Sequence, residues 1–171
     1  MSDVEDRLRR LRQEPLVEPG SWPSNLRGHP ALLKDLLPHQ GPMLLVDELL
    51  GWDREREWMV GRRHIDDSHL GLEGHFPGNP VLPGTLLLEM LGQVGVSLFA
   101  MLLRDSNQAD AIDVRATKIK GAHFMGEIRP GDDVDLIVRA LEYDTLLGEC
   151  EAQALVDGRP MAVMMGEIMV M

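Results

Sequence analysis

The chain predicts an α+β domain in which an antiparallel sheet packs around one long central helix. Three features carry this expectation. Residues 85–103 form a run that is apolar on nearly all sides, the pattern of a helix wrapped by other structure. Residues 113–124, 133–143, 146–156 and 160–170 read as strands separated by short turns. Two further strand-like segments precede the helix, so the order is strands, one buried helix, then strands again, rather than regular alternation of the two.

The elements follow in order along the chain. Residues 3–13 read as a short charged helix, and Pro15, Pro19, Gly20 and Pro23 then mark a linker. Residues 1–30 are therefore expected to form an N-terminal extension with mobile stretches, and residues 31–171 a single domain. Pro30 opens a helix near 31–37, and Pro38 ends it. Met43–Leu50 reads as the first strand, Gly51–Trp52–Asp53 as a turn and Glu57–Ile65 as the second strand. Asp66–Pro83 is a loop rich in Gly and Pro. Within the long helix Thr85, Glu89, Gln93 and Ser97 recur every fourth residue, so they make one polar stripe. The later turns fall at Pro130–Gly131–Asp132, Tyr143–Asp144–Thr145 and Asp157–Gly158, the last an Asp-Gly pair suited to a hairpin.

Composition narrows the function classes. At 171 residues the chain suffices for one domain with a single core. Aromatics are 4% while Met numbers 11, so the core is aliphatic and Met-filled, a composition that suits a pocket for flexible apolar chains. A net charge of −11 argues against nucleic acid as a partner. It leaves room for an acidic protein docking on a local basic patch. Cys150 is the only cysteine, which excludes an intrachain disulfide and a cysteine metal cluster and fits a reducing cytoplasm. The sequence MSDVEDRLRRLRQEP has no apolar signal core. The run from Leu86 to Leu103 approaches the length of a bilayer span, but Glu89, Gly92, Gln93 and Gly95 interrupt it, and no membrane partner is expected.

The candidate chemistry lies in residues 74–93, GHFPGNPVLPGTLLLEMLGQ. His75 sits in a loop crowded with Gly and Pro. Glu89 is the one charged residue in the apolar helical run. A carboxyl group there costs free energy unless it is paired, so it needs a reason to be present. A base in a rigid loop and an acid on a core helix make a candidate proton-transfer pair. His29, His39, His64, His69 and His123 lack a comparable setting. His64 and His69 flank Asp66 and Asp67, but a solvated turn explains them better than a metal site, and no metal is expected.

This segment closely resembles the active-site segment of the 3-hydroxyacyl-acyl carrier protein dehydratases of bacterial type II fatty acid synthesis, enzymes with the hot dog fold. LLPHQGPMLLVDELL (36–50), HFMGEIRPGDDV (123–134) and LVDGRPMAVMMGEIMV (155–170) are similar to other stretches of that family, and the resemblance runs from about Leu32 to Val170. The family has a branch with Glu on the helix that dehydrates broadly, and a branch with Asp there that also isomerises the new double bond. Glu89 and the HFPG start resemble the first, whereas FMGEIRP and the chain length are nearer the second. Thr85, Met90 and Gly92 stand where the family leads one to expect Val and Ala, changes that touch pocket shape.

The resemblance implies that His75 is the base, Glu89 the acid and the Gly84 backbone N–H an oxyanion donor. It implies a substrate tunnel shaped by Phe76, Gly78, Pro83 and Gln93. The partner it implies is acyl carrier protein bearing a phosphopantetheine-linked acyl chain, with Arg62, Arg63, Lys118, Lys120 and Arg129 as candidate docking groups and no cofactor expected. It further implies a homodimer, or a trimer of such dimers, with the His and Glu of one site drawn from different subunits. A hot dog thioesterase, an enoyl-coenzyme A hydratase and a non-catalytic acyl-thioester-binding protein are the rival expectations.

Overall fold

A computed structural model describes residues 3–105 and 114–170. Its helices are α1 (Asp3–Leu11), α2 (Pro30–Leu36) and α3 (Gly84–Asp105), with a 3-10 turn at Gly41–Met43. Its strands are β1 (Glu48–Asp53), β2 (Trp58–His64), β3 (Val114–Phe124), β4 (Asp133–Tyr143), β5 (Leu147–Val156) and β6 (Arg159–Val170). Among the described residues the strands form one six-stranded sheet in the order β1-β2-β4-β5-β6-β3, with every neighbouring pair antiparallel.

The period-two pattern of the strands decides what each face meets. Inner-facing Leu136, Val138, Cys150, Ala152, Ala154, Ala162 and Met164 share one core with Met90, Leu91, Val94, Leu98 and Phe99 of α3. The alanines are fully buried, and their small side chains let the helix approach the sheet closely. Helix α3 is long and apolar enough to cross a bilayer, yet 72% of its apolar window is buried inside the fold, so its hydrophobicity serves the core. Register shifts interrupt four of the strand pairings, and such bulges bend strands and increase twist.

The boundaries expected for β2, β4, β5, β6 and α3 hold to within two residues. The expected start of β3 at residue 113 lies outside the described residues. The first strand departs from expectation. Gly41–Met43 is a 3-10 turn, and the strand begins at Glu48 and runs through Gly51–Trp52–Asp53, the segment expected to turn. The chain reverses instead at residues 54–57, where Asp53 Oδ1 accepts the Arg56 N–H at 3.0 Å and Glu57 takes a φ of 55°. The strand ladder continues to the Asp53–Trp58 pair, which Gly51 and Trp52 were expected to cut short.

The N-terminal segment also differs from the expected appendage. It covers the outer face of the sheet. Leu8 and Leu11 pack on Val163 and Met165, and Leu16, Val17 and Trp22 pack on Leu50, Trp58, Val60, Ile137 and Leu155. Two outward-facing polar residues of β5 secure it. Gln153 donates from Nε2 to the Leu11 and Glu14 carbonyls at 2.5 and 3.0 Å and accepts the Leu16 N–H at 2.7 Å. Glu151, 0% exposed, is ringed by Arg139 from β4 and by Arg7 and Arg10 from α1, the last two at 3.5 and 3.4 Å. Without this cover, an apolar sheet face would stand in water and Glu151 would keep only Arg139 of its three guanidinium partners.

A direct consequence concerns stability. Leu8→Ala, at a side chain 1% exposed, should lower the unfolding free energy by about 2–5 kcal/mol in a urea titration. An unchanged titration midpoint would mean that α1 is a dispensable appendage.

Candidate active site

The loop before α3 is tied to itself. The His75 N–H donates to Leu72 O at 3.1 Å, and the Val81 N–H donates to His75 O at 2.8 Å. Phe76 and Asn79 exchange backbone hydrogen bonds around Gly78, whose φ of +75° suits a residue without Cβ. The Arg129 guanidinium donates to Asn79 Oδ1 at 2.7 Å, and the Leu82 N–H to Ile128 O at 2.8 Å, so the segment after β3 braces the loop.

This bracing orients the imidazole. His75 Nδ1 lies 2.8 Å from the Val81 carbonyl oxygen. A carbonyl only accepts, so Nδ1 carries the proton and neutral His75 presents Nε2 as a free lone pair. The Phe76 ring stacks on the imidazole at 4.2 Å between centroids and is 57% exposed.

Helix α3 starts at Gly84, and the Gly84 N–H makes no hydrogen bond among the described residues. Its Cβ position is occupied from outside, since an added methyl would lie 2.7 Å from the Phe124 ring. The polar stripe then descends into the core: Thr85 is exposed, the Glu89 side chain is 37% exposed, Gln93 is 1% exposed and Ser97 is 0% exposed. Glu89 is thus not sealed among apolar side chains, as its sequence setting suggests, but opens onto two cavities. One, of about 200 Å³, is mainly apolar and is lined by Leu88, Cys150, Met164 and Ile168 together with Glu89. The other, of about 310 Å³, is lined by Pro38, His39, Glu89, Gly92 and Gln93 together with the start of β3.

Gln93 is the hub of this region. Its Nε2 donates to Glu89 Oε1 at 2.9 Å and to Met43 O at 2.7 Å, while its Oε1 accepts the Leu45 N–H at 2.9 Å. Of the expected tunnel residues, Gln93 therefore both lines a cavity and orients the acid. Phe76, Gly78 and Pro83 belong to the loop that carries His75. Sequence reasoning passed over His39, whose Nε2 lies 3.3 Å from Glu89 Oε1. The available signal was its place in LLPHQGPMLLVDELL, a stretch already singled out.

Among the described residues no hydrogen bond or ion pair joins His75 to Glu89 within the chain. Four of the five candidate docking cations are engaged internally. Arg62 pairs with Asp135 at 2.7 Å, Arg63 with Asp47 at 2.6 Å, Lys120 with Glu149 and Glu167 at 2.5 and 2.8 Å, and Arg129 with Glu127 and Asn79. The hydrogen bond that Lys120 donates to Glu149, and then that to Glu167, hold its ammonium above its ordinary pKa. Lys118, exposed beside the apolar cavity, forms no ion pair among the described residues.

Other titratable groups have structural settings. Burial pushes the Cys150 thiol up to about 12, which removes it as a nucleophile although its side chain lines a cavity. His64 pairs with Asp133 at 2.8 Å. His69 is 4% exposed with Nδ1 on Leu70 O at 2.8 Å, and burial lowers its pKa, so the two imidazoles serve separate partners.

A family model for the FabA-like domain matches residues 37–164. This chain belongs to the FabA-like family. The domain is 34% identical over 126 residues to the 3-hydroxyacyl-acyl-carrier-protein dehydratase FabZ of Latilactobacillus sakei, covering 74% of this chain and 86% of that protein. It is 34% identical over 130 residues to the FabZ of Campylobacter jejuni, covering 76% and 88%. Its fold is shared with a chain of the dehydratase heterocomplex ApeI:P from Xenorhabdus doucetiae, with TM-score 0.68 at 17% identity, covering 81% of this chain and 90% of that one. This FabA-like domain therefore has the hot dog arrangement that its sequence resembles.

The hub role of Gln93 is open to measurement. Gln93→Leu removes the tether on Glu89 and leaves the Leu45 N–H and Met43 O without their partner. It should lower the unfolding free energy by about 1–3 kcal/mol, read from denaturant titration.

Proposed function

We propose that this protein removes water from 3-hydroxyacyl thioesters carried on acyl carrier protein, giving trans-2-enoyl thioesters for fatty acid biosynthesis or a related polyene or polyketide line. The observation that carries the chemistry is the Nδ1 contact of His75 with the Val81 carbonyl, which leaves Nε2 as an oriented, unoccupied base. FabZ relatives at 34% identity support the substrate class.

The reaction follows from this arrangement. His75 Nε2 takes the C2 proton, and the C2–H electron pair becomes the new C2–C3 double bond. Negative charge that builds on the thioester oxygen during this step is met by the Gly84 N–H at the start of α3, where backbone donors are unpaired and the helix dipole is favourable. The C3–O bond breaks as Glu89 protonates the hydroxyl, which leaves as water. One proton is taken by His75 and one is given by Glu89, so a net proton transfer between them through solvent resets the site. No metal or cofactor is required for any of these steps.

The pair is assembled from two copies of the chain in this proposal, with His75 of one serving Glu89 of its neighbour. The absence of a His75–Glu89 hydrogen bond or ion pair among the described residues supports this, as does the exposed edge strand β3, where Ile119 is 56% exposed beside the cavity that reaches Glu89. Lys118 is the carrier-protein contact best supported, being an exposed cation with no ion pair among the described residues, although its charge reaches Glu167.

Mass spectrometry of 3-hydroxyacyl carrier protein after incubation separates the rival activities. Loss of water supports dehydration, loss of the acyl group marks a thioesterase, and an unchanged mass marks a binder. His75→Ala should reduce water loss by at least about 10²-fold while leaving the protein folded, and near-normal turnover in a folded variant would remove His75 as the base. Mixing His75→Ala with Glu89→Gln, each with only residual activity, under conditions of subunit exchange tests the shared site. Statistical mixing makes about half the dimers heterodimers, each with one intact site, so about a quarter of wild-type activity should return. Confirmed exchange with no recovered activity would mean that both residues act within one chain.

A further inference from the structure

We infer that His39, which lies between α2 and the 3-10 turn, is a positioning residue for the acid Glu89, an inference that rests on the function proposed above. Two nitrogens from different elements converge on the same oxygen of Glu89. Gln93 Nε2 donates to Oε1 at 2.9 Å from the next turn of α3, and His39 Nε2, outside the helix, lies 3.3 Å from it, within ion-pair reach but out of hydrogen-bond alignment. Oε2 has no hydrogen bond or ion pair among the described residues. The carboxyl is thus held by one oxygen and offers the other to the cavities.

The tautomer of His39 follows from its other nitrogen, which is buried without a hydrogen-bond partner. A proton on Nδ1 would strand a buried donor and turn the Nε2 lone pair toward a carboxyl oxygen, two unfavourable contacts at once. The proton belongs on Nε2, and neutral His39 turns it to the side of Glu89 Oε1, 3.3 Å away, without yet making an aligned hydrogen bond. Its side chain also lines the 310 Å³ cavity onto which Glu89 opens, so the donor stands at the wall of the reaction space. The His39 contact is the looser of the two and tightens as Glu89 gives up its proton and Oε1 gains charge. An interaction stronger in the transition state than in the ground state acts on kcat rather than on KM.

Steady-state dehydration of a 3-hydroxyacyl carrier protein by the full chain tests this. His39→Ala should fold with an unchanged circular dichroism spectrum and lose about tenfold or more in kcat, with little change in KM. His39→Gln places an amide nitrogen at the reach of Nε2 and should recover most of kcat. His39→Asn reaches only as far as Nδ1 and should not. In a Glu89→Gln background, followed over long incubations, His39→Ala should add less than about a twofold further loss, because residues that act as a unit are not additive. The inference is overturned if a dehydrating wild type is unaffected by His39→Ala, if Asn and Gln serve equally, or if the loss is undiminished in the Glu89→Gln background. If His39→Ala fails to fold, the contrast between Gln and Asn decides. A wild-type protein that removes no water overturns the proposed function itself, and this inference with it.

Discussion

The packing of α3 against the sheet governs the rest of the molecule. A helix that is apolar on nearly all sides has to be enclosed, and the inner face of the sheet receives it through small side chains such as Ala152, Ala154 and Ala162. Close packing leaves little tolerance for polar groups on the helix, so each member of the polar stripe needs a partner or a cavity. Ser97, deepest in the core, donates to the Gln93 carbonyl at 2.9 Å. Gln93 spends its amide on the segment at 43–45 and on Glu89. Glu89, nearer the helix start, opens onto space. The acid therefore stands where the stripe passes from enclosed core to cavity.

The opposite face of the sheet is a second buried interface. Both faces being covered explains why β4, β5 and β6 contain long runs of buried residues instead of alternating with exposed ones. It also explains how Glu151 and Gln153 occupy fully buried positions in a central strand. They are the fasteners of the N-terminal segment, and the guanidinium groups around Glu151 supply the compensation that a buried carboxylate needs. The face that packs on α3 and the N-terminal cover consequently share β5, with Cys150, Ala152 and Ala154 on one side and Glu151 and Gln153 on the other.

Electrostatics on the surface follow the same economy. With a net charge of −11, acidic groups outnumber basic ones, and most of the basic residues considered for docking already hold an internal partner. Arg129 shows the consequence most directly. Its contact with Asn79 makes it a brace for the loop that orients His75, so its charge is tied to the geometry of that imidazole.

How much of this was legible in the chain depends on the range of the interactions involved. The long helix, its stripe and four of the strands are local patterns of period 3.6 or 2, which a sequence displays directly. The Gly and Pro spacing around His75 likewise marked a rigid loop, and the motif around it pointed to the family. The first strand was misplaced because Gly51 and Trp52 look like a turn locally, while their ladder with Met59 and Val60 is a tertiary fact. The N-terminal segment read as an appendage because its prolines and charges are local, whereas the burial of Leu8 and Leu11 depends on β6, more than 140 residues away. His39 escaped notice for the same reason: it lies 50 residues from Glu89, and only folding brings its Nε2 to the acid. The sequence by itself determined which residue types could do proton chemistry and on which elements they ride. Only the tertiary structure decided which nitrogen of His75 is free, which oxygen of Glu89 is held and what covers each face of the sheet, because those outcomes rest on contacts between segments whose separation no local pattern encodes.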